Sequence, residues 1–311
     1  MAENDLANIL LSRFGSLQTS RATWESHWQE IADYVVPRKA DVTKTRSAGD
    51  KRSELIFDGT AIHAAELMSA SLHGMLTNAS TKWFGLRFQD RFLDGDDTAK
   101  EWLGGVEDVM YQAFSRSNFQ EQIHELYHDL ITFGTGVMFI ESDDEFQLRF
   151  STRHISECYL SEDENGRVDT VYRKFKIPAR AAVARFGESA VPQRVAKMLE
   201  KNPYEEVTLI HAVYKRDERD VTRVDSLNKP FASVYMDQEE KKIISESGFD
   251  EFPYTAPRFL KASFEIGYGR SPAMTALADI KMLNKMSEVT IRAAQKQVDP
   301  PLLVPDDGFI L

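Results

Sequence analysis

The sequence predicts an α+β fold: a body of helices and mostly antiparallel strands, followed by one long helix near the end. Three observations carry this. Apolar residues recur at three-to-four spacing in several stretches before residue 134, collect into short strand-like blocks over the region 137–262, and return to helical spacing from 271 to 298 with no interior proline. The last helix has the clearest limits. Gly267 and Gly269 free the backbone before it, Ser271 can accept from its first amides, and Pro272 suits the first helical position. Pro300 and Pro301 exclude the helical conformation from the residues before them, so the helix should end near Val298 or Asp299.

The elements follow in order. A helix over 6–36 carries Ile9, Leu10, Phe14 and Leu17, then Trp24, Trp28, Ile31 and Val35, and stops at Pro37. Trp24 and Trp28 lie one turn apart and should anchor it to the core. The stretch Arg38 to Ser53 has no apolar period and carries Arg38, Lys39, Lys44, Arg46, Lys51 and Arg52, which reads as a mobile basic loop able to touch phosphates or an acidic partner. Helices are expected over 60–76, 98–116 and 118–133, with a short strand at Trp83 to Phe88 between the first two. Strands are expected at 137–140, 146–150, 155–160, 168–177, 206–215, 231–236 and 242–247, with helices at 179–186 and 191–201. Asn165-Gly166 is a two-residue hairpin signal.

At about 100° per residue, the final helix has an unusually wide apolar arc, including Ile280, Met282, Leu283, Met286, Val289 and Ile291. A helix resting on one core needs an arc of about 100°, so this one should have neighbours on two sides. Its polar stripe holds Lys281, Lys285, Arg292 and Lys296.

The chain has 311 residues, 42% of them hydrophobic, enough for a sizeable core. A formal charge of −11 argues against tight nucleic-acid binding, which rests on Lys and Arg neutralising phosphates, although DNA can pass an acidic wall without being held. No apolar run approaches the roughly eighteen residues of a membrane span, and acids stand in MAENDLANIL where a signal peptide would be basic; the protein is expected to be cytosolic when made. Cys158 is alone, so no disulfide forms within one chain.

HELYH, His124 to His128, matches the zinc-protease pattern, in which His124 and His128 would hold the metal and Glu125 would activate its water. The longer form of that motif would need Gly at 131 and His at 134, where the chain has Ile131 and Gly134; Glu141, Glu145 and Glu157 are the available third ligands. The wheel puts both histidines beside an acidic outer face of Glu121, Glu125 and Asp129. SEDENG, from Ser161, has Tyr172 where a calcium loop needs its bidentate Glu. Gly134-Thr135-Gly136 precedes a strand, not the helix a phosphate loop opens, and neither a Walker sequence nor a G-x-S-x-G elbow occurs. No enzyme and no cofactor is expected. Two rival readings are a zinc hydrolase built on His124, Glu125 and His128, and a soluble adaptor that forms no ring.

Several long stretches together resemble the portal, or head-to-tail connector, proteins of short-tailed bacteriophages: RATWESHWQEIADYVVP at Arg21 to Pro37, RSELIFDGTAIHAAELMSASLHGMLTNASTKWFGL at Arg52 to Leu86, FGTGVMFIE at Phe133 to Glu141, and GYGRSPAMTALADIKMLNKM with VDPPLLVPDDG at the end. The resemblance implies a non-enzymatic ring, typically of twelve copies, at one capsid vertex of the virion. Double-stranded DNA would be packaged and ejected through it without sequence recognition, and terminase, head-tail adaptors, tail, capsid and scaffold proteins would contact it. It also implies a wing domain over 1–270, a stem helix over 271–298 and the start of a clip over 299–311, with Asp299, Pro300 and Pro301 at the junction. The basic stripe of the stem would then face the DNA channel or the capsid. Such portals continue with the rest of the clip, a second stem helix, a tunnel loop and a crown, so this chain is expected to represent part of one.

Overall fold

In the first helix, α1 (Glu3–Val35), two different apolar faces are buried along a length of about 50 Å. The computed structural model describes residues 3–47, 49–145 and 147–300. Ala7, Leu10 and Phe14 pack on strand residues Tyr159, Tyr172, Ile210 and Val234, whereas Trp28, Ile31 and Val35 join a second core with Phe133, Val137, Tyr268 and Leu277. Arg21 lies between the two. It is buried, and its Nη1 donates to the carbonyls of Ile155, Ser156 and Cys158 at 3.0, 3.0 and 2.8 Å while Nε donates to Glu25 at 2.9 Å. Its guanidinium stands 3.6 Å from the Tyr159 ring centroid. A buried guanidinium is tolerable because nearly every donor has a partner.

After a 3-10 turn at Pro37–Lys39 come α2 (Thr60–Leu76), α3 (Asp97–Arg116) and α4 (Phe119–Phe133). The expected strand at Trp83 to Phe88 does not form. The backbone N–H groups of Trp83 and Phe84 both donate to the Tyr111 hydroxyl at 2.6 Å, that hydroxyl donates to the Phe84 carbonyl at 2.8 Å, and the Leu86 N–H goes to Glu107 at 3.2 Å. Side chains of α3 thus satisfy the groups a partner strand would have taken. The loop after Pro37 also differs from the mobile segment expected. Gln29, buried on α1, accepts from the N–H groups of Val42, Thr43 and Lys44 and donates to the Ala40 carbonyl, which pins the loop to the helix.

Strands β1 (Val137–Asp143) and β2 (Gln147–Arg153) form a hairpin joined by β8 (Tyr254–Thr255), giving the order β2-β1-β8. The second sheet contains β3 (Cys158–Glu162), β4 (Val168–Pro178), β5 (Glu206–Lys215), β6 (Phe231–Asp237) and β7 (Ile243–Phe249) in sequence order. All the pairings of both sheets are antiparallel. The reversal between β3 and β4 takes Glu164, Asn165 and Gly166 rather than Asn165-Gly166 alone, because the Asp163 N–H closes onto the Arg167 carbonyl and Gly166 takes the left-handed position at φ 74°. One face of this sheet carries the start of α1. The other is covered by α5 (Ala179–Phe186) and α6 (Gln193–Lys201), through Phe175, Leu209 and Tyr235 against Ala182 and Val195.

The long helix α7 (Pro272–Val298) is set on this body by a tight backbone crossing. Gly134 ends α4 in the left-handed conformation, φ 77°, and a Cβ there would lie 2.3 Å from the Gly269 carbonyl oxygen. Around the crossing, the Gly269 N–H donates to Thr135 Oγ1 at 2.9 Å, Trp28 Nε1 donates to the Phe133 carbonyl at 3.2 Å, and the Phe259 N–H donates to the Gly134 carbonyl at 2.9 Å. Ser271 Oγ donates to the Thr132 carbonyl at 2.8 Å and accepts from the Met274 N–H at 2.9 Å, so one hydroxyl both caps α7 and ties it to α4.

Gly134→Ala is expected to destabilise the fold by about 3 kcal/mol or more, combining a left-handed penalty with a backbone overlap that cannot relax. Gly166→Ala has a similar φ but meets only the ends of two side chains, the Lys261 ammonium at 3.1 Å and a Glu162 carboxylate oxygen at 4.0 Å, and should lose about 1 kcal/mol. Urea unfolding of the two variants checks the difference.

Candidate functional site on the long helix

Helix α7 is covered along one face only, and only as far as Glu288. Ala273, Met274 and Leu277 enter the core, and further along Asn284 and Glu288 are buried. From Val289 to Pro300 every residue is exposed. Met282 and Met286, on the side away from the core, are 59% and 60% exposed, and Val289 continues their stripe. The wide apolar arc therefore has a body on one side and solvent on the other within a single chain.

Asn284 holds the segment before α2. Its Oδ1 accepts from the N–H groups of Phe57 and Asp58 at 2.7 and 3.1 Å, and its Nδ2 donates to the Leu55 carbonyl at 2.8 Å. Sequence reasoning missed this residue. The signal was an Asn in the middle of the arc made by Ala273, Leu277, Ile280 and Ile291, where a buried amide needs partners. This clamp sets α2 beside α7, leaving an apolar groove between them: Ala61, Ala64 and Met68 on one wall, Ala276, Ile280 and Leu283 on the other, with Asp58 and Asp279 in its lining.

The basic stripe of α7 is largely paired. Lys281 reaches Glu30 of α1, and Glu288 lies between Lys285 at 2.9 Å and Arg292 at 2.6 Å. The Lys285 hydrogen bond, with the charge of Arg292, holds the Glu288 carboxyl below its ordinary range. Lys296 is exposed one turn beyond Arg292. Asp299 closes the helix through its N–H to the Gln295 carbonyl at 3.0 Å, and Pro300 is exposed; Pro301 and the rest of the expected clip segment lie outside the described residues.

HELYH does not assemble as a metal site. His128 is buried against α2, with Nε2 3.3 Å from Glu66, and His124 meets His73 of the same helix at 5.5 Å between ring centroids. Glu125 turns toward the 3-10 turn instead, where Arg38 Nη2 is at 3.0 Å and Lys39 Nζ at 2.8 Å. Glu157, one of the sequence's third ligands, is taken by Arg173 at 2.7 Å. Among the described residues no three His, Cys, Asp or Glu side chains are grouped to hold a metal. The acidic face expected to be outward is partly covered, since Asp129 is buried under Lys39.

The same contacts revise the basic loop. Arg38 and Lys39 pair with α4, Lys44 with Asp33 of α1 at 2.6 Å, and Arg46 and Arg52 with Asp41 inside the loop; Lys51 is exposed. The cations that looked available to phosphates are mostly spent on attaching the loop. Around Glu125, burial pushes the carboxyl pKa up, but the hydrogen bond and charge of Lys39 and the charge of Arg38 outweigh it and hold the group down at about 2. Burial raises Asp129 and lowers His128.

The family model for "Bacteriophage head to tail connecting protein" matches residues 7–310. The chain belongs to this family of phage head-to-tail connector, or portal, proteins. It is 33% identical over 309 residues to a "Probable portal protein" of Bordetella phage BPP-1, covering 98% of this chain and 56% of that protein. It is 32% identical over 309 residues to a "Portal protein" of Salmonella phage epsilon15, covering 98% of this chain and 55% of that protein. The chain thus spans about half the length of the curated relatives it matches. The portal-family match includes the Gly134–Gly269 crossing, the Asn284 clamp and the whole of α7. No helix among the described residues is long and apolar enough to cross a membrane.

Asn284→Ala should strand the Phe57 and Asp58 N–H groups and cost about 2 kcal/mol. Faster proteolysis before α2 would accompany the lower Tm, and unchanged proteolysis would refute the clamp. A second expectation concerns pH. The folded pKa of Glu125 lies below its ordinary 4.5, so its ion pairs stabilise the fold above about pH 4.5 and are lost as pH falls toward 2. Asp129, raised by burial, works in the opposite sense and is present in both proteins. Thermal melts across this window should therefore show a shallower acid loss in Glu125→Gln than in the parent.

Proposed function

We propose that this chain is a portal subunit: one copy in a ring of about twelve at a capsid vertex, made in the host cytoplasm and carried in the virion. Residues 1–270 form its wing, 271–298 its stem and 299–311 the beginning of its clip. The observation that carries the reading is the state of α7 in a single chain. A helix that projects with Met282, Met286 and Val289 exposed gives up the burial of several large apolar side chains, each worth about 1.5–3 kcal/mol, unless another chain covers them. A ring supplies that cover by repetition of the same subunit.

In this reading the protein does mechanical work without catalysis. Double-stranded DNA passes along the ring axis during packaging and ejection, terminase docks at the clip side and is replaced by head-tail adaptors, and the wing meets capsid and scaffold proteins. The stripe of Lys281, Lys285, Arg292 and Lys296 borders the DNA passage. Pairing with Glu30 and Glu288 tempers its attraction for phosphate, as a conduit requires, since a wall of unpaired cations would hold the DNA it should release.

Negative-stain images of the assembled protein should show annular particles with a central hole, and monomers alone at high concentration would overturn the ring. Replacing Lys281, Lys285, Arg292 and Lys296 together with Gln should change DNA packaging or retention while leaving ring formation intact. Unchanged packaging and retention would reject the channel assignment.

A further inference from the structure

We propose that the α2–α7 groove is the socket for the neighbouring copy of this chain, receiving the exposed methionine edge of that copy's α7. The proposal rests on the ring reading and specifies which surfaces close it. Two apolar features occur on α7, and they lie on different sides. The groove is bounded by Ala276, Ile280 and Leu283, whereas Met282 and Met286 are centred about 105° away around the helix. Different patches that fit each other make a heterologous contact, and a heterologous contact repeated by rotation closes a ring, whereas one self-complementary patch would stop at a dimer.

Height along the helix agrees. In a ring whose axis runs along α7, rotation leaves height unchanged, and Met282 stands at the level of Ile280 and Leu283, the outer end of the groove. Shape and charge agree as well. Ala61, Ala64 and Ala276 leave room for a long flexible side chain, and a methionine adapts to such a slot. Asp58 and Asp279 line the groove, while the Lys285 ammonium, 67% exposed, flanks Met282 and Met286 and meets Asp279 of a neighbour at the rim of the contact without leaving Glu288, a pair too weak for assembly to depend on. A second copy therefore meets both the apolar and the charged requirements of the site.

Disulfide trapping tests this in the assembled protein. The single natural cysteine, Cys158, is buried and burial pushes its thiol up to about 12, so it does not compete. The double variant Ala64→Cys, Met282→Cys should give, under mild oxidation, a ladder of linked species extending beyond dimers, while each single variant gives none beyond a dimer. Rings in the microscope without a ladder would overturn the groove as socket and leave the ring standing. Absence of rings from the unmodified protein would overturn both. A link formed within one chain, or a groove protected in the isolated subunit, would assign the groove to the chain's own polypeptide and likewise overturn the proposal. As a second variant, Ala64→Trp fills the groove from an exposed position; the assembled fraction should fall about tenfold or more with the subunit's Tm unchanged.

Discussion

The crossing of Gly134 over Gly269 is the constraint on which the architecture depends. At that point the end of α4, the entry to β1 and the start of α7 share a space with no room for a single side-chain carbon. Backbone at such close range must have its polar groups satisfied locally. Trp28, Thr135 and Ser271 do this from three different parts of the chain, so the long first helix, the first sheet and the last helix are referred to one point. A change in the angle of α7 would have to break these bonds together. The direction of α7 is therefore a property of the body and not of the helix alone.

A similar economy governs the charges. An acidic chain with a strongly basic loop could place its cations on the surface, yet Arg38, Lys39, Lys44 and Arg46 are turned onto carboxylates of the first and fourth helices or of the loop itself. Arg21 is the extreme case, buried and divided among three carbonyls and one carboxylate. These pairs attach irregular segments to helices where apolar contact is sparse. On α7 the same arrangement keeps Lys285 and Arg292 close to Glu288, which leaves the helix weakly basic along its polar stripe and apolar beside it.

Much of the fold was legible from residue pattern. Helices began and ended within a few residues of their expected limits because caps and prolines act over a single turn: Ser271 accepts from Met274 as its position before Pro272 implied, and Pro37 stops α1. Short apolar blocks marked the strands because the central ones are buried on both faces. The failures share a cause. Trp83 to Phe88 has the composition of a strand but finds Tyr111 in place of a partner strand, and the basic stretch after Pro37 has the composition of a mobile loop but is held by Gln29 and by carboxylates of α1 and α4. The part of the site that escaped notice, Asn284, was hidden because its partners lie at Leu55 to Asp58, far away in the chain.

By itself, then, the sequence determined where the long helix starts, where it stops and how broad its apolar arc is, since local sterics and the period of an α-helix are written into consecutive residues. The tertiary structure alone decided which part of that arc is covered and which is left exposed. Burial of Leu277 and Asn284, and exposure of Met282 and Met286, depend on where α1, α2 and the residues before α2 come to rest, and that position is set by contacts between segments more than two hundred residues apart.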